Sequence, residues 1–245
     1  MYFFKKTKFW LGKKLSEEQE ILMDSVKKML DENISIDNLR EHSKGDDLLR
    51  KCLRKLIIDM GLPGLMIPEE YGGSGLGVLE ASLVAEQLGS YAAPSPWIGN
   101  SIMAPTAILF DKENNLAEKW LPLIASGEIT ACVSLSEVIG KRSDLGLVLD
   151  GTNVSGVSIF GIDGELNPTI IITAVDDNLI LVETDNNGVE INEIPTIDTT
   201  RPVVEIIFDS SKCQIIPGGK DAIQKTIDVG RIGLAADLLG ASQNM

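Results

Sequence analysis

The stretch GLPGLMIPEEYGGSGLGVLEASLVAEQLG, residues 61–89, joins a glycine-dense turn to an almost wholly apolar helix. Pro68 fixes one backbone angle, and the four glycines of GGSGLG permit a positive φ or a close backbone approach. The chain is therefore predicted to reverse direction compactly before the helix begins. From Val78 to Leu88 nearly every residue is apolar or small, which predicts a helix enclosed by other elements and not an amphipathic surface helix.

Length and charge exclude several classes of protein. The 245 residues suffice for a sizeable core, in one large domain or two of ordinary size. No apolar run approaches the roughly 20 residues that a membrane-spanning helix needs, so no transmembrane segment is expected. The net charge of −14 argues against nucleic acid as a partner, because its phosphates would be repelled.

The cysteines and the single histidine indicate no reactive centre. Cys52, Cys132 and Cys213 are far apart and form no CxxC pair, which favours reduced thiols that act as small core residues in a cytoplasmic protein. His42 lies in the polar run REHSKGDD and is expected to be solvated. We therefore predict neither a metal site nor a serine–histidine triad.

Residues 1–14 form a basic, aromatic leader with five lysines and no acid. Such an arm could contact a membrane surface or another subunit, and the alternative is a partly disordered leader. We favour the second interpretation.

An all-helical domain is predicted over residues 15–128. A capping-box sequence at Ser16 starts the first helix, since Gln19 stands three residues later. The other helices are predicted at 46–60, 76–88, around 100–110, and at 113–126.

From Ile129 the sequence becomes rich in Val, Ile and Thr, with turn signals at short intervals. Strands are predicted at 129–135, 145–150, 153–160, 169–175, 179–184, 189–193 and 203–209. Short strands with short turns indicate an antiparallel barrel or sandwich over 129–217, so the fold class is α+β.

Helical spacing resumes over 218–245, with Ile223, Ile227, Leu234 and Leu238 on one side. A free carboxylate at Met245 would stand at the negative end of the helix dipole. We interpret this segment as the first helix of an incomplete C-terminal domain, as in a fragment or a split subunit.

Three segments resemble the acyl-CoA dehydrogenase family, flavoenzymes that desaturate acyl thioesters: residues 61–89, WLPLIASGE at 120–128, and ACVSLSE at 131–137. The resemblance is strong over 56–137 and weaker over 138–217, where it is closer to a divergent bacterial branch. It implies a helical domain, a β domain and a four-helix bundle. It also implies FAD as cofactor, an acyl-CoA substrate, an electron-transfer flavoprotein or similar acceptor, and a homo- or hetero-oligomer.

The resemblance also implies which residues contact the flavin and the substrate. The cofactor-binding positions are Val133, Leu135, Ser136, Ser143, Phe160 and Ile162, and the substrate-binding positions are Arg142 and Ser143. The family motif Trp-Ile-Thr-Asn is replaced by Phe-Gly-Ile-Asp at 160–163. The stacking aromatic is therefore smaller, and a hydroxyl that would bond the flavin is lost at Ile162.

No catalytic residue is predicted in this chain. Some branches of the family carry the catalytic base as a Glu immediately before an Arg, and the matching place here is Gly230, before Arg231. Other branches carry the base further along the bundle. Two hypotheses follow: an FAD-dependent acyl-CoA dehydrogenase whose isolated chain is inactive, or a non-catalytic partner that contributes part of a flavin or acyl-CoA site.

Overall fold

The computed structural model describes residues 9–10, 13–112, 115–135, 146–164, 167–185 and 188–243. The helices are α1 (Glu17–Asn33), α2 (Ile36–Ser43), α3 (Leu48–Asp59), α4 (Val78–Ser90), α5 (Ala104–Ile108), α6 (Leu116–Ala125) and α7 (Gly219–Gln243). The strands are β1 (Phe9–Trp10), β2 (Lys13–Lys14), β3 (Ala131–Ser134), β4 (Leu147–Asp150), β5 (Asn153–Ile162), β6 (Ile170–Val175), β7 (Asn178–Glu183), β8 (Val189–Ile194) and β9 (Val203–Ile216).

The glycine turn before α4 has the predicted conformations. Gly72 and Gly75 have φ values of 81° and 62°, in the left-handed region that glycine adopts without strain. Gly73 is required for a different reason, because a Cβ there would lie 2.0 Å from the carbonyl oxygen of Ile67. The helix that follows is buried over most of its length, including the run Ala81–Glu86. The prediction of an enclosed helix is confirmed.

The helical region contains one helix that the sequence prediction missed. Ser16 caps α1 through the predicted box with Gln19. A second capping box, formed by Ser35 and Asn38, starts α2, where no helix was predicted. Because α2 packs beside α3, His42 is only 4% exposed, and the expectation that it is solvated is wrong. The predicted helix around 100–110 is also divided, into a π-helix at Ile98–Met103 followed by α5.

The β region is a single seven-stranded sheet whose pairing closes a ring. The strand order is β4-β5-β3-β6-β7-β9-β8, and an additional β5–β9 pairing joins β5, β3, β6, β7 and β9 into a barrel. The described pairings are antiparallel with the exception of β3 with β6, which is parallel. Strand β9 continues to Ile216, beyond the predicted end at 209, because its first part pairs with β8 and β5 while its last four residues pair with β7.

Two apolar cores meet at strands β3, β6 and β7. Ile170 and Ile172 of β6 face the helical core, whereas Ile171 between them belongs to the core inside the barrel. Every residue of β3 and β6 is buried as a result. This burial on both faces explains why these strands have continuous apolar sequences without polar alternation.

Helix α7 packs on α4 through small residues. A Cβ on Gly240 would lie 1.9 Å from the Glu86 carbonyl oxygen, and one on Gly89 would lie 2.0 Å from the Asp237 carbonyl oxygen. The two backbones are therefore too close for larger side chains. Ile223 and Ile227, on the side predicted to be apolar, are 7% and 6% exposed, whereas Leu234 and Leu238 on the same side are 39% and 67% exposed.

The cysteines and the leader differ in part from expectation. Cys132 and Cys213 are buried core residues as predicted, but Cys52 is exposed on α3. In the leader, β1 and β2 form a short antiparallel ladder that pairs Phe9 with Lys14. None of the helices in the described part of the chain is long and apolar enough to cross a membrane.

The contact between α4 and α7 predicts an unusual response to Gly240→Ala. Alanine in place of glycine normally stabilises a helix by about 1 kcal/mol. Here the added methyl meets the Glu86 backbone, so we expect a loss of about 2–4 kcal/mol in the free energy of unfolding, measured by urea denaturation. Ala235→Gly, at an exposed position of the same helix, is the control and should cost only about 1 kcal/mol. A Gly240→Ala protein as stable as the parent would contradict the close packing.

Candidate functional site

Strands β3 and β5 form the wall on which most of the predicted flavin contacts lie. Val133 of β3 is the direct cross-strand partner of Ile162, the last residue of β5. Val133 and Leu135 are 1% and 4% exposed, so neither residue presents an open surface to a ligand on this wall. Ile162 is half-buried and offers its side chain.

Phe160 gives the wall an exposed aromatic ring. Its φ of 60° lies in the left-handed region, at a shift of register in the β5–β9 pairing between Ser158 and Gly161. Gly161 faces the barrel interior, where a Cβ would lie 3.0 Å from the Cys132 sulfur. Phe160 itself is 49% exposed, so its ring is accessible to a planar ligand.

The remaining predicted contacts cannot be placed on this wall. Ser136, Arg142 and Ser143 lie outside the described residues. A nearby described hydroxyl, that of Ser134, is fully buried. Its Oγ lies 2.7 Å from Ser158 Oγ and donates to the carbonyl oxygen of Ile159. The Ser134 hydroxyl thus forms its hydrogen bonds within the barrel and not with a ligand.

A pocket of about 160 Å³ adjoins Ile162 where the helical region, the barrel and α7 meet. Its lining combines an apolar majority with one carboxylate and one guanidinium. The lining residues are Ser95, Ile98, Ile162, Asp163, Thr200, Arg201, Pro202, Val203 and Leu234.

Asp163 joins the barrel to the helical region beside this pocket. Its Oδ2 accepts hydrogen bonds from the backbone N–H groups of Gly99, at 2.7 Å, and Asn100, at 2.9 Å. In return, Asn100 Oδ1 accepts from the backbone N–H of Ala131 at the start of β3, at 2.9 Å. Burial raises the pKa of Asp163 to about 6, although the two N–H donors and the Arg201 charge oppose this shift.

Arg201 connects the pocket to α7 through an ion pair. Its Nη2 donates to Oδ1 of Asp237, and both side chains are largely buried. Burial raises the pKa of Asp237, while the Arg201 charge and hydrogen bond act in the opposite direction. The guanidinium thus lies between two carboxylates, those of Asp163 and Asp237.

A second arginine holds the loop that precedes Arg201. Nδ1 of His42 lies 2.8 Å from the carbonyl oxygen of Asp46, so this nitrogen carries the proton, because a carbonyl can only accept. Its Nε2 is then free to accept from Nη2 of Arg50, at 3.3 Å. The same Nη2 donates to the carbonyl oxygen of Thr199, at 3.2 Å.

The described residues of the site provide no carboxylate placed to abstract a proton from a substrate. Gly230 on α7 packs against Met103, and a Cβ on residue 230 would lie 2.6 Å from the Met103 sulfur. A glutamate at this position would therefore require the Met103 side chain to move. Asp163 is the one carboxylate lining the pocket among the described residues, and its Oδ2 is engaged by two backbone donors. Within the described ranges, no group of three or more His, Cys, Asp or Glu side chains could hold a metal ion.

Sequence reasoning missed Asp163, Arg201 and Asp237. The replacement of the family's Asn by Asp at position 163 was noted without a role. A charged residue in an otherwise apolar helix, as Asp237 is in GLAADLLGA, was the signal that could have indicated a buried partner.

Comparisons with known proteins show which family has a similar sequence and fold. Residues 16–128 match the family model described as acyl-CoA dehydrogenase, N-terminal domain. The helical region, residues 16–128, is an acyl-CoA dehydrogenase N-terminal domain. It is 32% identical over 133 residues to (2S)-methylsuccinyl-CoA dehydrogenase of Cereibacter sphaeroides, an alignment covering 54% of this chain and 24% of that protein.

Solved structures of this family share the fold. The ChsE4–ChsE5 complex from Mycobacterium tuberculosis aligns with a TM-score of 0.81 at 20% identity, covering 94% of this chain and 65% of that one. A glutaryl-CoA dehydrogenase from Mycobacterium smegmatis in complex with FADH2 aligns with a TM-score of 0.79 at 19% identity, covering 94% and 64%. The chain thus spans less than two thirds of the length of these relatives.

The raised pKa of Asp163 predicts a specific dependence of stability on pH. The pKa of the Asp163 carboxyl is about 6 in the folded protein and 3.8 in the unfolded chain, where the interactions of the fold are lost. Between these two pH values the folded protein therefore binds more protons than the unfolded chain. The contribution of Asp163 to the free energy of unfolding is therefore largest below pH 3.8 and falls, by up to about 3 kcal/mol, as the pH rises through 6.

Asp163→Asn tests this dependence, because the amide oxygen can still accept a hydrogen bond but cannot ionise. The difference in unfolding free energy between parent and variant, from urea denaturation between pH 4 and 7, should shift in favour of the variant as pH rises. Asp59→Asn, on the exposed end of α3, is the control. A parent–variant difference that stays constant over this range would show that Asp163 is ionised throughout.

Proposed function

We propose that this protein is an FAD-dependent acyl-CoA dehydrogenase homologue that acts in the α,β-dehydrogenation of an acyl-CoA thioester. The proposal is supported chiefly by the pairing of Val133 with Ile162 beside an exposed Phe160, at the positions where the family resemblance implies the flavin wall. The shared fold is consistent with it, including that of a relative solved with FADH2.

The described part of the wall fits the flat, apolar face of a flavin. Phe160 offers an aromatic ring for stacking and Ile162 an aliphatic surface, while Val133 and Leu135 support the strand beneath them as buried residues. We assign the polar contacts to Ser136 and Ser143, and the negatively charged CoA or pyrophosphate to Arg142 with Ser143. When bound, FAD would accept the hydride. The chain's own residues would orient the ring and exclude water from its barrel side.

The catalytic base would come from outside the described residues or from another chain. The family reaction needs a carboxylate beside the substrate in a dry pocket. Position 230 is occupied by glycine, and Oδ2 of Asp163 accepts hydrogen bonds from the Gly99 and Asn100 amides. For this reason we assign no catalytic residue among the described residues.

A second candidate function is a non-catalytic partner subunit that contributes part of a flavin or acyl-CoA site in a hetero-oligomer. The exposed side of α7 favours this alternative, because Ile232, Leu234 and Leu238 lie on the surface of the chain. The chain also resembles members of a solved two-component complex, ChsE4–ChsE5. We further propose a cytoplasmic location and an electron-transfer flavoprotein or similar protein as acceptor.

Flavin binding and reduction separate these functions. Residues 1–245 alone should bind FAD weakly, and binding should tighten when the protein is co-purified with an acyl-CoA dehydrogenase-like chain encoded beside it. Anaerobic addition of a panel of acyl-CoA thioesters should then bleach the visible flavin absorbance of the assembled enzyme. A yellow complex that no acyl-CoA bleaches would favour the partner function. A colourless protein in every combination would refute both.

Phe160→Ala tests the flavin wall directly. If the ring stacks on the flavin, its loss should weaken FAD binding by about 3- to 10-fold in fluorescence titration, since an aromatic contact is worth about 0.5–1.5 kcal/mol beyond its area. The matched control is Val148→Ala on β4, which is also an exposed apolar strand residue, at 67%. Equal effects of the two variants would remove Phe160 from the proposed site.

A further inference from the structure

The loop between β8 and β9, residues 195–202, covers the pocket and has little attachment of its own. Residues 195–199 are exposed, and the side chain of Ile197 is fully so. Thr200, Arg201 and Pro202 at its other end line the pocket. The loop therefore lies between solvent and the cavity beside Ile162.

Short-range hydrogen bonds make this loop a compact unit. Oδ1 of Asp198 accepts from the backbone N–H of Thr200, at 2.9 Å, and from its hydroxyl, at 2.7 Å. The hydroxyl of Thr196 donates to the carbonyl oxygen of Asp198, at 2.8 Å. Such a loop can move as one piece, because these bonds travel with it.

Two arginine contacts attach the loop to the rest of the protein, one on each side. Arg50, which is 7% exposed on α3, donates to the carbonyl oxygen of Thr199 from the helical region. Arg201 within the loop pairs with Asp237 of α7. In the part of the chain that the structure describes, these are the side-chain hydrogen bonds between residues 195–202 and other elements.

We propose that the 195–202 loop is a gate over the pocket, and that the Arg201–Asp237 ion pair is its latch. Opening requires one ion pair and one hydrogen bond to break, while the β5–β9 and β8–β9 ladders stay intact up to Val203. Local openings of this kind need much less free energy than global unfolding. The open gate would admit a ligand to the pocket beside Ile162.

The gate can be tested by the reactivity of a thiol placed in the pocket. Ser95 lines the pocket, is 4% exposed, and its Oγ has no hydrogen-bond partner, so Ser95→Cys changes neither size nor bonding appreciably. Cys52→Ser removes the exposed native thiol. Cys132 and Cys213 remain as internal references, because they are buried and become reactive when the barrel unfolds.

In this double variant, a small methanethiosulfonate should modify the introduced thiol faster than Cys132 and Cys213, as followed by peptide mass spectrometry. Adding Asp237→Asn removes the latch, and we expect about a tenfold faster modification of the pocket thiol with the reference thiols unchanged. The control is Arg231→Gln, since Arg231 pairs with Asp228 on the exposed surface of the same helix. It should leave all three rates as they were.

Two results would overturn the proposal: an unchanged rate at the pocket thiol in a folded Asp237→Asn protein, or an equal rise at all three thiols, which would indicate global loosening. If Asp237→Asn does not fold, the urea dependence of the rates in the double variant decides instead. Opening of the gate exposes much less surface than unfolding of the barrel, so the pocket-thiol rate should rise less steeply with sub-denaturing urea than the rates of Cys132 and Cys213. Parallel urea dependences at all three thiols would then refute the gate. The measurement needs neither flavin nor turnover, so its outcome is separate from that of the proposed function.

Discussion

The carboxylate of Asp163 is the contact on which the geometry of the candidate site depends. It belongs to the end of β5, but both of its described hydrogen-bond donors are backbone amides at the start of the Ile98–Met103 helix. Asn100 completes the connection by accepting from Ala131 at the start of β3. The positions of Val133 and Ile162 are therefore set by the helical region as well as by the barrel. A shift between the two regions would have to break this reciprocal pair of contacts.

The free-energy cost of burying the Asp163 carboxylate explains why hydrogen-bond donors and a positive charge surround it. Burying an ionised carboxylate is unfavourable unless donors and an opposite charge compensate. The two amides supply the donors, and Arg201 supplies the charge, but Arg201 also serves Asp237. One guanidinium therefore compensates two buried acids on different elements. Barrel, helical region and α7 become electrostatically linked at this point, which is also where the pocket lies.

Much of the scaffold could be predicted from the sequence because its signals are local. The capping box at Ser16, the glycine turn before α4 and the change to β-branched residues after Ile129 each reflect backbone preferences within a few residues. What failed depended on distant partners. The packing of α7 on α4 was not predicted, because it depends on the absence of a side chain at Gly240, whereas the sequence pattern drew attention to the apolar side chains of Leu234 and Leu238. His42 was taken as solvated because its neighbours in sequence are polar, although its neighbour in space is Arg50.

The same limit applies to the candidate site. The resemblance identified the two strands of the wall, and the structure brings Val133 and Ile162 together. The charged residues beside them, Arg201 and Asp237, follow Ile162 in the sequence by 201 − 162 = 39 and 237 − 162 = 75 positions. Such nonlocal contacts leave no local signal in the sequence. Their arrangement also narrows the chemistry. Oδ2 of Asp163 accepts from the two amides that join the regions, which gives this carboxylate a structural role. If this protein takes part in dehydrogenation, its own described residues position the reacting groups, and the proton must leave to a carboxylate that another segment or another chain supplies.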